Sequence, residues 1–184
     1  MEQTTKVTTG KVRFSYANVF EPTAMSDKDT PKYNVSIIIP KSDTETVAKI
    51  KAAVEAAKQA GKAKLADKNG KIPADAALKL PLRDGDLERP DDEAYADSWF
   101  VNANSSRRPG IVDKNLEPIM SKEEFYSGCY GRASLCFYAF NVNSKGIACG
   151  LNNLQKLEDG EPLSGGTSAQ EDFGGENAWD DPLM

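Results

Sequence analysis

Two stretches near the start of the chain alternate with period two. Over residues 6–20, Val12, Phe14, Tyr16 and Phe20 share one parity, with Lys11, Arg13, Ser15 and Ala17 on the other. Over 32–39, Tyr33, Val35, Ile37 and Ile39 alternate with Lys32, Asn34 and Ser36. Such alternation of aromatic and β-branched residues predicts half-buried strands. The proline- and aspartate-containing residues 21–31 between them predict a loop, so the two strands should pair antiparallel. The period then lengthens: Val47, Ile50, Val54 and Ala57 fall on one helical face, Ser42 or Asp43 can cap it, and Gly61 stops it near residue 60. Residues 65–97 lose periodicity, with a turn at 68–71, a short extended piece at 78–80 and a charged loop at 83–97. Extended pattern returns at 98–105, 111–112, 129–141 and 147–152, interrupted by one helical turn at 121–125 and a turn at 143–146. Five or so strands with one clear helix and no βαβ repetition predict a mainly β fold, a small barrel or sandwich.

The strongest strand, 129–141, sorts its residues unusually. One parity is small or apolar: Cys129, Gly131, Ala133, Leu135, Phe137 and Ala139. The other carries Tyr130, Arg132, Ser134, Cys136, Tyr138 and Phe140, so aromatic rings and a cation share the face expected to meet solvent. Grouped exposed rings mark a binding surface. Rings interleaved with cations suit single-stranded nucleic acid, because bases stack on the rings while Lys and Arg neutralise phosphates. The candidate DNA-binding residues are Lys11, Arg13, Lys32, Phe100, Arg107, Arg108, Tyr130, Arg132 and Tyr138, with Asn102 and Asn104 beside them. The competing reading places the outer aromatics under the helix or the 65–97 segment.

Charge changes the picture next. Residues 158–184 carry eight carboxylates and no Lys or Arg, so the net charge of −5 hides a body, residues 1–157, with 23 bases against 20 acids. The 158–184 segment is too rich in Gly, Ser and Glu to offset the entropy of ordering, and is expected to be a disordered acidic tail on a single 1–157 domain. Its last residues, Trp179, Asp180, Asp181, Pro182, Leu183 and Met184, read as a short docking peptide for another protein. No run approaches the roughly 18 apolar residues of a membrane span, and the first residues lack the basic start and apolar stretch of a signal peptide, so the cytoplasm is expected.

Chemistry of sites is mostly excluded. The chain has no histidine, and its three cysteines, Cys129, Cys136 and Cys149, form no C-x-x-C pair, so neither a metal site of the usual His/Cys type nor histidine-based catalysis can be built. The cysteines read as small buried apolar residues in a reducing compartment. Neither glycine-rich phosphate-loop motif occurs. The acids Asp84, Asp86, Glu88, Asp91, Asp92, Glu93 and Asp97 are the one place for a Mg²⁺ nuclease, but Asp91-Asp92-Glu93 are consecutive and Arg83 and Arg89 can pair with the cluster. No metal, cofactor or catalytic residue is predicted.

Several words occur together and in order: Arg83-Asp84-Gly85-Asp86 with Arg89-Pro90, then Phe100-Val101-Asn102-Ala103-Asn104-Ser105, then Phe125-Tyr126-Ser127-Gly128-Cys129-Tyr130-Gly131-Arg132-Ala133. Phe137-Tyr138-Ala139-Phe140-Asn141 and Gly146-Ile147-Ala148-Cys149-Gly150-Leu151-Asn152-Asn153 complete the set. In these the chain resembles the single-stranded DNA-binding proteins of tailed phages and prophages. The resemblance implies an OB-fold, a five-stranded Greek-key barrel similar in build to the T7-type phage proteins. It also implies a non-enzymatic protein of phage replication or recombination in the bacterial host cytoplasm. The tail is similar to the acidic tails of bacterial and T7-type single-strand binders, but ends without their terminal aromatic ring. The partners implied are single-stranded DNA and replication or recombination proteins met through the tail, with a homodimer also admitted and no membrane. A single-strand annealing protein would use the same surface, and the Mg²⁺ nuclease is the enzymatic alternative.

Overall fold

The computed structural model describes residues 4–23, 30–142 and 144–163. In chain order the elements are β1 (Lys6–Thr8), β2 (Val12–Thr23), β3 (Lys32–Pro40), α1 (Thr44–Ala60), α2 (Lys62–Leu65), β4 (Arg83–Asp84), α3 (Gly85–Glu88), β5 (Ser98–Ser105), β6 (Gly110–Val112), β7 (Tyr130–Val142) and β8 (Ser144–Glu158). Five strands close on themselves. β2 pairs with β3, β3 with β5, β7 with β8 and β7 with β2, all antiparallel, and β5 pairs with β8 in parallel. This is the five-stranded ring expected of an OB-fold. The short strands β1, β4 and β6 attach to β7, β5 and β8. Among the described residues no helix is long and apolar enough to cross a membrane.

The ring interior follows the alternation read from the sequence. Val12, Phe14, Ile37, Val101, Leu135 and Leu151 all point inward and are buried. The ring of Phe125, from the turn before β7, packs on Phe14 with centroids 4.9 Å apart. α1 contributes Val47, Ile50, Ala53, Val54 and Ala57 to the same core, and Asp43 caps it by accepting from Thr46 N–H. The single strand expected over 6–20 is broken in two. At the break, Gly10 donates its N–H to Thr46 Oγ1 at 2.9 Å, and a Cβ there would lie 2.9 Å from the Asp43 carboxylate. Only glycine lets the chain pass so close to the N-terminus of α1.

The 83–97 stretch, expected as a charged loop, is folded onto the sheet instead. Three of its carboxylates are spent locally: Asp84 accepts from Asp86 N–H, Asp92 from Ala94 N–H, and Asp86 from Asp97 N–H at 2.9 Å. Lys41 bridges Asp84 and Asp86 at 2.9 and 2.8 Å. Hydrogen bonds from Lys41 hold both carboxyls below their usual range, and the same bonds, Asp86 first, raise the Lys41 ammonium. Tyr95 then covers the outer side of β3 and β5. Its ring is fully buried against Ile38 and Phe100, edge-on to Phe100 at 5.1 Å, and its hydroxyl bonds Ser36 Oγ at 2.9 Å.

Two further differences concern chain ends of elements. The last strand runs to Glu158, six residues beyond the expected 152, because it pairs along all of β7 as far as Tyr130, with register shifts opposite Ser134/Leu135 and Tyr130/Gly131. The boundary drawn at 157/158 therefore falls inside β8, and residues 159–163 remain in contact with the barrel. The rest of the acidic tail, with Trp179, Asp180, Asp181, Pro182, Leu183 and Met184, lies outside the described residues. The three cysteines are free thiols, with Cys129 and Cys149 buried and both pushed up in pKa by that burial.

Candidate nucleic-acid interface

Two hollows open on the outer face of β2, β3 and β5, on either side of the 85–97 segment. The smaller, about 270 Å³, brings Lys11, Arg13 and Tyr130 together beside Ile38 and Ala94. The register explains this: Arg13 lies opposite both Tyr130 on β7 and Ile38 on β3. The Lys11 ammonium and the Arg13 guanidinium sit 5.3 and 5.2 Å from the centre of the Tyr130 ring, a cation–π arrangement. Arg13 is held by donating from Nε to Gly128 O at 3.1 Å and from Nη2 to Glu161 O at 2.8 Å. Gly128 has φ +118°, and the chain at Glu161 and Pro162 crosses where a side chain would stand.

The start of the acidic segment thus lies on these cations. Glu158 forms an ion pair with Lys11. Tyr126 binds the backbone of Gly160 through its hydroxyl in both directions, at 2.8 and 3.0 Å. Leu163 donates its N–H to Ser127 O at 2.9 Å and packs on the Ile38–Tyr95–Phe100 cluster. The strap from 158 to 163 therefore runs along one border of the smaller hollow.

The larger groove, about 780 Å³, is lined by Tyr16, Lys32 and Arg89 together with four asparagines, Asn18, Asn34, Asn102 and Asn104. Among the described residues no carboxylate lines it. One level of the ring reads Asn18, Asn34, Asn104 and Gly150 across β2, β3, β5 and β8. Among the described residues, neither Lys32 nor Arg89 has an acidic partner. Arg89 spans three rings, with its guanidinium 5.4 Å from Tyr95, 5.5 Å from Phe100 and 5.6 Å from Tyr16.

Tyr16 is the residue that the alternation misplaces. It shares a parity with Val12 and Phe14, yet it is 50% exposed, while Val19 is fully buried. The register of β2 against β3 shifts between Ser15 and Asn18, and Tyr16 there takes φ +48°. This is a bulge, which moves one side chain to the other face of the sheet. Ser127 Oγ accepts from Ala17 N–H at 3.0 Å and pins it. The polar Asn18 on the inward parity was the signal in the sequence.

The remaining candidates are spread more widely. Lys32 lines the groove, and Arg107 and Arg108 are exposed beyond β5, Arg108 lying 5.4 Å from the Phe20 ring. Arg132 is exposed on β7 and donates from Nε to Thr9 O at 3.0 Å. Tyr138 is 45% exposed on the outward parity of β7, as expected. It stands eight residues from Tyr130, roughly 26 Å along a strand and so away from the smaller hollow, and beside Gly150 at the Asn104 end of the larger groove without lining it. Phe100 needs correction: it does point outward, but it is only 2% exposed, because Tyr95 and Arg89 cover it. A buried ring offers no face to a base. Among the described residues no group of acids is placed to hold a metal.

Comparison with known proteins agrees with this architecture. The family model described as the single-stranded DNA-binding protein of Enterobacter phage Enc34 matches residues 5–183. A putative protein p50 of Acyrthosiphon pisum secondary endosymbiont phage 1 is 32% identical over 166 residues, covering 88% of each chain. The single-stranded DNA-binding protein of bacteriophage Enc34, solved in complex with single-stranded DNA, superposes with TM-score 0.74 at 26% identity over 87% of this chain and 90% of that one. The fold extends to gp2.5, a single-stranded DNA-binding protein of bacteriophage T7, with TM-score 0.65 at 14% identity over 95% and 97% of the two chains. The chain belongs to the family of the phage Enc34 single-stranded DNA-binding protein.

Proposed function

We propose that this protein binds single-stranded DNA without sequence readout, along the outer face of β2, β3 and β5, in phage DNA replication or recombination. The observation that carries the reading is the pair of hollows on one face. One holds two cations against the Tyr130 ring, and the other has Lys32 and Arg89 on a lining to which the described residues contribute no carboxylate. Stacking on rings tolerates every base, and cations neutralise phosphates whatever the sequence. The Enc34 relative solved in complex with single-stranded DNA supports the same ligand. Binding should weaken steeply as salt rises. A labelled oligo-dT titrated by fluorescence anisotropy at low and high salt, against a duplex of equal length, tests this; equal affinity at both salts would refute the electrostatic part.

The acidic tail has two roles in this proposal. Its terminal Trp179-Asp180-Asp181-Pro182-Leu183-Met184 recruits replication or recombination proteins, and its carboxylates compete with DNA for the cationic surface. The Lys11–Glu158 pair supports the second role, since the first acid of the segment already lies on one of these cations, and the backbone carbonyl of Glu161 holds Arg13 beside it. Removing residues 164–184 should tighten DNA binding at low salt and abolish capture of the partner. An unchanged affinity would sink the competition.

A further inference from the structure

The larger groove has a lining ill-suited to phosphate alone. A phosphate calls for donors, whereas each carboxamide presents an acceptor oxygen beside its donor nitrogen. Two of the four asparagines are occupied as scaffold. Asn18 Nδ2 donates to Asn34 Oδ1 at 2.9 Å and to Tyr16 O at 3.2 Å, and Asn34 Nδ2 donates to Thr23 Oγ1 and Lys32 O. Together they brace the bulge that turns Tyr16 outward. Among the described residues, the side chains of Asn102 and Asn104 make no hydrogen bond. They stand on the outward parity of β5, facing the groove that Tyr16 borders. The positive φ of Tyr16 adds to this, because a bulky residue in that region is rare and such strain gathers at ligand sites.

We infer that this groove is a base pocket, in which a nucleobase of the bound strand stacks on Tyr16 and meets the carboxamides of Asn102 and Asn104 with its edge. The inference rests on the single-strand reading above and adds a component of binding that salt does not screen. Lys32 and Arg89 flank the pocket and take the backbone, while the ring and amides take the base. A carboxamide offers a donor and an acceptor side by side and can turn over by a half rotation. It therefore pairs with the edge of any base, unlike a guanidinium, whose donors favour guanine. Hydrogen bonding to bases is in this way compatible with indifference to sequence. Arg89 is the positioning residue: it sets the Tyr16 ring against the buried Tyr95 and Phe100.

The test compares two oligonucleotides of equal length, oligo-dT and a chain of abasic spacers, each titrated over a range of salt with the full-length protein. The variants are Tyr16→Gly and the double substitution Asn102→Ala with Asn104→Ala. Glycine accepts the left-handed backbone of residue 16, so Tyr16→Gly should melt at or above the wild-type temperature while losing the ring. Each variant should bind oligo-dT about ten-fold more weakly, with the salt slope unchanged. Its binding to the abasic chain should match wild type. An equal loss on both oligonucleotides, a changed salt slope, or no loss on oligo-dT would overturn the base pocket while leaving single-strand binding intact. A wild-type protein that binds neither oligonucleotide would overturn the single-strand reading itself, and the base pocket with it.

Discussion

Phe100 and Tyr130 are both aromatic residues on the outward parity of barrel strands, but Phe100 is buried and Tyr130 partly exposed, so the proposed function gives them opposite roles. The pair of substitutions Phe100→Ala and Tyr130→Ala separates these roles. Phe100 is 2% exposed, packed on Ile38 and Tyr95 with the Arg89 guanidinium 5.5 Å from its ring. Truncating such a ring costs about 3–5 kcal/mol, of which the edge-on pair with Tyr95 accounts for roughly 0.5–1.5 kcal/mol. Against a typical total of about 5–15 kcal/mol, that loss shifts a urea midpoint far to the left. Tyr130 is partly exposed between two cations, and its removal leaves no sealed cavity. Its contribution should appear in binding, where one stacked base is worth about 1–3 kcal/mol, or roughly 5- to 150-fold in Kd. The assay is a urea titration of each variant followed by anisotropy with labelled oligo-dT under conditions where both are folded. The expected result is a stability loss for Phe100→Ala with nearly native affinity, and an affinity loss for Tyr130→Ala with nearly native stability. If Phe100→Ala kept its stability and lost affinity as Tyr130→Ala does, residues 85–97 would not be seated on the sheet in solution.

Two other expectations follow from charges placed by the fold. Lys11 and Glu158 are each about half exposed, at 52% and 50%, so their pair is worth at most about 1 kcal/mol to stability. Glu158→Gln should nevertheless free Lys11 and tighten oligo-dT binding about two- to five-fold at low salt, vanishing at high salt; no change at low salt would argue against the pair's competing with DNA. Asp84 and Asp86 are held below their usual range by Lys41, so their stabilisation is complete above the unfolded carboxylate value and is lost as pH falls through the lower folded value. Urea midpoints between about pH 6 and pH 3 should therefore drop at the acid end, and less so in Asp86→Asn; superimposable profiles would refute the clip.

The parts of this fold legible in the sequence are those governed by a single uninterrupted period. α1 carries a 3–4 spacing with a cap and a stop, and it begins and ends where these signals stand. β7 alternates without a break over its outward and inward residues, and its burial follows that alternation as far as Phe140. Tyr16 was missed because one extra residue reverses the parity of everything after it, and a bulge leaves only indirect marks: a polar Asn18 where a core residue belongs, and an apolar Val19 where solvent was expected. Phe100 was misjudged for a different reason. Parity states which side of a sheet a ring takes, but not whether a later segment lies over that side, and the cover depends on one residue, Tyr95, inside a charged stretch. The acids of 84–97 likewise read as a charged loop with Arg83 and Arg89 as possible partners, because caps and backbone acceptors have no signature apart from the turns they make. Of the nine DNA-contact candidates, Lys11, Arg13 and Tyr130 converge in one hollow and Lys32 borders the other. Tyr138 lines neither: distance along β7 separates it from the first, and it stands beside Gly150 at the end of the second.

The ring closes at two seams, β2 with β7 and β5 with β8, and each joins the β2, β3 and β5 strands to the later β7 and β8. β7 and β8 are consecutive and form a local hairpin, while β2, β3 and β5 form a second unit of neighbouring strands. Pairings between residues so far apart in sequence are slow to form during folding. Tyr130 belongs to the hairpin, whereas Lys11 and Arg13 belong to the other unit, so the smaller hollow exists only once the first seam has formed. A chain still emerging from the ribosome carries the cations but not their ring, and it completes this hollow in the same event that pairs β2 with β7.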